Sequence, residues 1–158
     1  MKIHWLWFVL GTVIFWGTYI PTLHQGQLGF KPTETSPTGP LRAFMFVGVA
    51  YFLMAIIVPG ILIFVMKREP TVFPMRGILW STGAGVLGSL GALCIILALV
   101  SGGGPTTVPP LVFAGAPVMS VVIAMLLSRP QTMPSWQFYV GILMAAAGVA
   151  LVLHYKPR

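Results

Sequence analysis

The chain has 158 residues, 57% of them hydrophobic and only 7% charged, where a soluble domain carries roughly a quarter charged residues. A mean hydropathy of +0.93 leaves too little polar surface to coat a water-exposed globule, so the solvent is lipid. The formal charge of +7 rests on nine basic residues scattered singly at segment ends, which excludes the continuous patch that a nucleic-acid partner requires.

About 20 apolar residues cross a bilayer core. Five stretches of that length follow one another: Trp5 to Leu23, Arg42 to Met66, Gly77 to Val100, Val108 to Ser128 and Trp136 to His154. The expected fold is an all-α, polytopic membrane bundle of five transmembrane helices in a single domain over 1–158. The connections are short, so any function lies among the helices.

In the first span, Lys2 precedes an apolar run, as in a secretory leader. The length of the run, its Trp5, Trp7 and Trp16, and the missing small-residue cleavage site make it a retained helix instead. Thr12, Trp16 and Tyr19 share one helical face, with Gly17 and Pro21 nearby. Hydroxyls, an indole and a phenol on one stripe suit a ligand that needs hydrogen bonds and an apolar ring surface. Trp5, Trp7 and Trp136 fit an interfacial aromatic belt better, and for Trp16 and Tyr19 both belt and pocket stay open. The longest loop is expected from Gln25 to Pro40, because Thr33, Glu34, Thr35, Ser36, Pro37, Thr38 and Gly39 carry turn chemistry.

The second span closes at Lys67, Arg68, Glu69 and Pro70. In the third, Gly77, Ser81, Ala84, Gly85, Gly88, Gly91, Ala92 and Ala98 recur at spacings of three, four and seven. Such a small-residue face lets another helix approach closely, which in lipid substitutes for hydrophobic driving force. Gly141, Ala145 and Gly148 repeat the device in the fifth span. The partner of each face is either a helix of the same chain or a second protomer. Ser81 is a further candidate for ligand contact, with Trp80, Ser89, Tyr51 and Ser120 behind it.

The fourth span places Pro117 at mid-depth in Phe113-Ala114-Gly115-Ala116-Pro117-Val118. Proline donates no hydrogen bond, so the Phe113 carbonyl loses its usual partner and the helix bends. Hydrocarbon leaves a freed carbonyl unsatisfied; interrupted transporter helices use such groups as binding sites, while single membrane prolines also serve as kinks that only shape packing. Phe113 and Pro117 therefore join Thr12, Trp16, Tyr19 and Ser81 as candidate substrate-binding residues.

Both acids, Glu34 and Glu69, fall in loops, so carboxylate-driven proton exchange within a span is not expected. His4, His24 and His154 sit at span ends, and Cys94 is the single cysteine. Neither a metal site nor a cofactor is expected, and no set of nucleophile, base and acid suggests an enzyme. Sorting the basic residues by side gives Lys2, Lys67, Arg68, Arg76 and Arg129 against Lys31, Arg42, Lys156 and Arg158. That balance shows almost no positive-inside bias, which either leaves the orientation undetermined by charge or reflects copies inserted in both orientations.

Trp16-Gly17-Thr18-Tyr19, Pro40-Leu41-Arg42-Ala43 and Gly115-Ala116-Pro117-Val118 occur in the order of an EamA-type unit. With Gly141-Ile142-Leu143 and Ala147-Gly148-Val149 closing the fifth span, nearly the whole chain resembles that unit of the drug/metabolite transporter superfamily. The glycine-rich third span is also similar to the sugar and ureide permease branches. Family members commonly end the fourth span with Gly-Glu, where this chain has Ser128-Arg129-Pro130.

The resemblance implies one repeat of a ten-helix inverted-repeat transporter that moves small metabolites by alternating access. A single repeat needs an upside-down partner, so an antiparallel homodimer or a paired sister chain in the lipid bilayer is expected. The expected location is a bacterial inner (plasma) membrane, and the expected substrate is a small, polar, neutral or anionic molecule. The rival reading is a non-transporting membrane subunit that scaffolds or regulates a larger complex.

Overall fold

The structure, a computed structural model, describes residues 5–30, 32–33, 38–127 and 134–155. Lys2, His4, Lys31, loop residues 34–37 including Glu34, Ser128-Arg129-Pro130, Lys156 and Arg158, all singled out above, lie outside the described residues. The regular elements among the described residues are helices: α1 (Trp5–Gly29), α2 (Pro40–Val65), α3 (Met75–Val100), α4 (Val108–Leu127) and α5 (Trp136–His154). By length and composition α1 to α4 can each cross a membrane, and α5 holds a shorter apolar stretch, Trp136–Val152. The chain is thus an integral membrane protein with a helical architecture.

The helix ends follow local chemistry. Pro40 opens α2, where a fixed φ is favourable and the missing N–H costs nothing. At the far end Lys67 takes φ 50, and the Arg68 N–H donates to the Leu62 carbonyl at 2.9 Å. Val100 ends α3, and Gly102 follows at φ 96, a left-handed position that glycine occupies without a Cβ penalty. Before α4, Thr107 and Val108 both donate their N–H to the Gly104 carbonyl at 3.0 Å.

Two differences from the sequence reading matter. Helix α1 runs straight through Pro21 to Gly29, so the expected loop from Gln25 begins only at Phe30. Polar residues mark where lipid ends, not where a helix ends. Twenty-five residues at 1.5 Å rise give about 37 Å, beyond a hydrocarbon core of about 30 Å, so the last turns carry His24, Gln25 and Gln27. The second difference lies in α2, where Leu53–Ile57 and Ile61–Val65 are π-helical and flank Pro59. Wide turns of this kind accommodate a missing donor: the Val58 N–H reaches back five residues to the Leu53 carbonyl.

The fold divides into two compact units, Met1–Pro21 with Gly102–Arg158, and Thr22–Ser101. In the first, α4 packs on α5; in the second, the opening turns of α2 pack on α3. Few side chains are buried: Ile20 and Val108 in the first unit, Leu23, Gln27, Ala43, Ile95, Ile96 and Leu99 in the second. The large apolar side chains left exposed along every helix would aggregate in water and are at home in lipid.

Candidate functional site

Within the first unit, the aromatic stripe of α1 meets α4. Trp16 and Tyr19 are three residues apart on one helical face, and their ring centroids lie 6.2 Å apart with planes at 47°. The Phe113 ring stands edge-on to Trp16, with centroids 6.2 Å apart and planes at 78°. Edge-to-face contact of this kind pairs the positive ring edge with the negative face and fixes ring orientation. Trp16 remains 48% exposed.

The other predicted residues distribute differently. Thr12 lies one turn before Trp16, and its hydroxyl donates to the Phe8 carbonyl at 2.9 Å, leaving it only as an acceptor for a ligand. Thr18 does the same toward Ile14 at 2.9 Å and Phe15 at 3.1 Å. Pro117 sits exposed one turn after Phe113, and α4 continues helically through it. Lacking an N–H, it withholds the donor that the Phe113 carbonyl would otherwise receive. Phe113 therefore brings a ring to Trp16 and a carbonyl without its usual helical donor. Ser81 belongs to the second unit, exposed on α3.

The small-residue faces are open. A Cβ built on Gly85, Gly88, Gly91, Gly141 or Gly148 meets nothing within 4 Å, and Ala145 is exposed. Every residue of α3 up to Gly91 is exposed. Leu79, Trp80, Gly83, Ala84 and Leu87 line a shallow apolar groove of about 430 Å³ along it. Gly83 and Gly91 supply the low relief that a neighbouring helix needs.

Two features escaped sequence reasoning. Pro59 is a mid-span proline like Pro117, and the same donor argument selects it. Gln27 is a polar group on the last turn of α1, hidden because the segment from Gln25 read as loop, and it lies one turn beyond His24, which the sequence placed at the span end. Among the described residues, no group of three or more His, Cys, Asp or Glu could hold a metal ion. Comparison with protein-family models, curated proteins and solved structures finds no match for this chain.

Proposed function

We propose that the chain is a five-helix, EamA-like half-transporter that moves a small polar metabolite, neutral or anionic, by alternating access as an antiparallel homodimer or with a sister chain. The observation that carries this reading is the meeting of Trp16 and Tyr19 with Phe113, whose carbonyl lacks its helical donor because of Pro117. Ring faces bind the apolar part of a solute, and the Phe113 carbonyl binds its polar part. Such groups at mid-membrane line a path for substrate, since hydrocarbon gives them no partner.

The open α3 face supports a second copy as its occupant. Large apolar side chains suffice against lipid, whereas Gly83, Ala84, Gly85, Gly88 and Gly91 in succession favour a helix at close range. The near-even distribution of Lys and Arg supports insertion in both orientations. Prolines lie inside three spans, at Pro21, Pro59 and Pro117, and proline is where a helix hinges most readily, which supports rocking of the halves. In this reading the protein is no enzyme, needs no cofactor and resides in a bacterial inner membrane.

The test is uptake by liposomes holding the purified chain, against a panel of neutral and anionic metabolites with and without ion gradients. Saturable uptake that fails in Trp16→Ala is expected. A folded, reconstituted chain that moves no member of the panel overturns the transport reading in favour of a scaffolding subunit.

A further inference from the structure

A second polar constellation lies in the unit Thr22–Ser101, at the junction of α1 and α2. Gln27 is 1% exposed, and its Nε2 has no hydrogen-bond partner among the described residues. One helical turn earlier, the buried Nδ1 of His24 also lacks one. Three residues apart, the two share a face of α1. A buried polar atom without a partner costs stability, so two together call for an explanation.

The surroundings favour negative charge. The Gly39 N–H donates to the Gln27 carbonyl at 3.0 Å, which ties Gln27 to the residue preceding α2. Gly39 itself has no side chain to cap α2, and the first turn of α2 contains no acidic residue, so the dipole of that helix end favours an anion. The Phe30 ring stacks on Phe46, with centroids 6.0 Å apart, and carries the Arg42 guanidinium 5.1 Å above its centroid. Phe30 thus holds a cation beside the helix start that Gln27 adjoins. A carboxamide nitrogen, an imidazole nitrogen, a helix N-terminus and a guanidinium along the α1–α2 junction are the kinds of group that hold an oxyanion.

We infer that His24 and Gln27, with Arg42, form a binding site for an oxyanion, a phosphate or carboxylate group, where α1 emerges from the hydrocarbon. Gln27 donates through Nε2, His24 donates through Nδ1, and Arg42 with the α2 N-terminus supplies the positive field. The group comes from a free solute or from an anionic lipid headgroup, both of which reach the level of these terminal turns.

The probe is the side-chain amide of Gln27, followed by NMR on glutamine-labelled protein in nanodiscs and assigned by its loss in Gln27→Leu. One arm titrates inorganic phosphate into phosphatidylcholine discs. The other raises phosphatidylglycerol with no phosphate present. A saturable shift in the first arm supports a free oxyanion, and one in the second a headgroup. Gln27→Glu keeps the shape and adds repulsion. Thermal unfolding should show a ligand-dependent stabilisation in the parent that Gln27→Glu and His24→Phe weaken about tenfold or more in apparent affinity. Gln27 resonances that stay fixed in both arms overturn the site, as does an equal stabilisation in the parent and both variants. None of these readouts requires transport, so a failed uptake assay leaves the result intact.

Discussion

The Trp16 indole and the Phe113 ring meet edge to face, 6.2 Å between centroids, joining the first helix of the chain to the fourth. Phe113 is also the residue whose carbonyl Pro117 deprives of a donor. One residue therefore couples an aromatic wall to a break in backbone hydrogen bonding, and substitutions on either side have separable effects.

Phe113→Leu keeps the carbonyl and the apolar bulk but removes the ring partner of Trp16. Edge-to-face pairs contribute about 0.5–1.5 kcal/mol beyond area burial, so unfolding in detergent should move little. Uptake should fall about tenfold. Trp16→Ala combined with Phe113→Leu should lose less than the sum of the two, because both act on one contact.

Pro117→Ala restores an N–H to the α4 ladder. An interior proline costs a helix about 3 kcal/mol, so this variant should unfold at higher temperature and assemble normally. Its turnover should drop, because the Phe113 carbonyl is again engaged by the helix. Unchanged turnover would remove the proline from the mechanism.

Gly39→Ala tests the junction of α1 and α2. A Cβ at this position collides with the Phe30 side chain, with Cγ at 2.7 Å, and Phe30 is itself stacked on Phe46. Overpacking of this kind costs about 1–3 kcal/mol. The expected outcome is a lower unfolding temperature, partly recovered by Phe30→Leu.

Gly88→Leu adds bulk where nothing lies within 4 Å, so helicity and monomer stability should persist. Self-association measured by energy transfer between labelled copies should weaken by a factor of ten or more, about 1.4 kcal/mol. Equal association in parent and variant would direct the search for the dimer contact to α5.

Cys94 reports the relative direction of two copies. It is exposed, and lies about 10 Å along the axis from the middle of α3. Copies paired head to tail through the centre of α3 hold the two thiols about 20 Å apart, far outside disulfide range. A mild oxidant should leave monomers on a non-reducing gel. Efficient disulfide dimers would show parallel pairing and contradict the inverted arrangement.

Much of the architecture is written in composition. Runs of apolar residues the length of a bilayer locate α2, α3, α4 and α5 within two residues of their observed starts, because lipid demands uninterrupted hydrophobicity. The end of α1 was not legible: Gln25 and Gln27 read as loop, although a helix leaving the bilayer becomes polar while its backbone ladder continues. The stripe of Trp16 and Tyr19 was visible from i, i+3 spacing, but its meeting with Phe113 is a tertiary contact across about a hundred residues, and no periodicity encodes it. Thr12 has the right face, yet its hydroxyl bonds backward to Phe8, a local competition that residue type alone leaves open.

The wide turns around Pro59 carry a consequence for chain length. A π-turn holds one residue more than an α-turn, so α2 contains two surplus residues, one in Leu53–Ile57 and one in Ile61–Val65. Excising Ala55 lets the first segment tighten into ordinary turns and keeps the angular phase of everything beyond it. The same excision in the uninterrupted α3 swings every later residue about 100° around the axis. Single-codon deletions should therefore be tolerated in α2 and ruinous in α3.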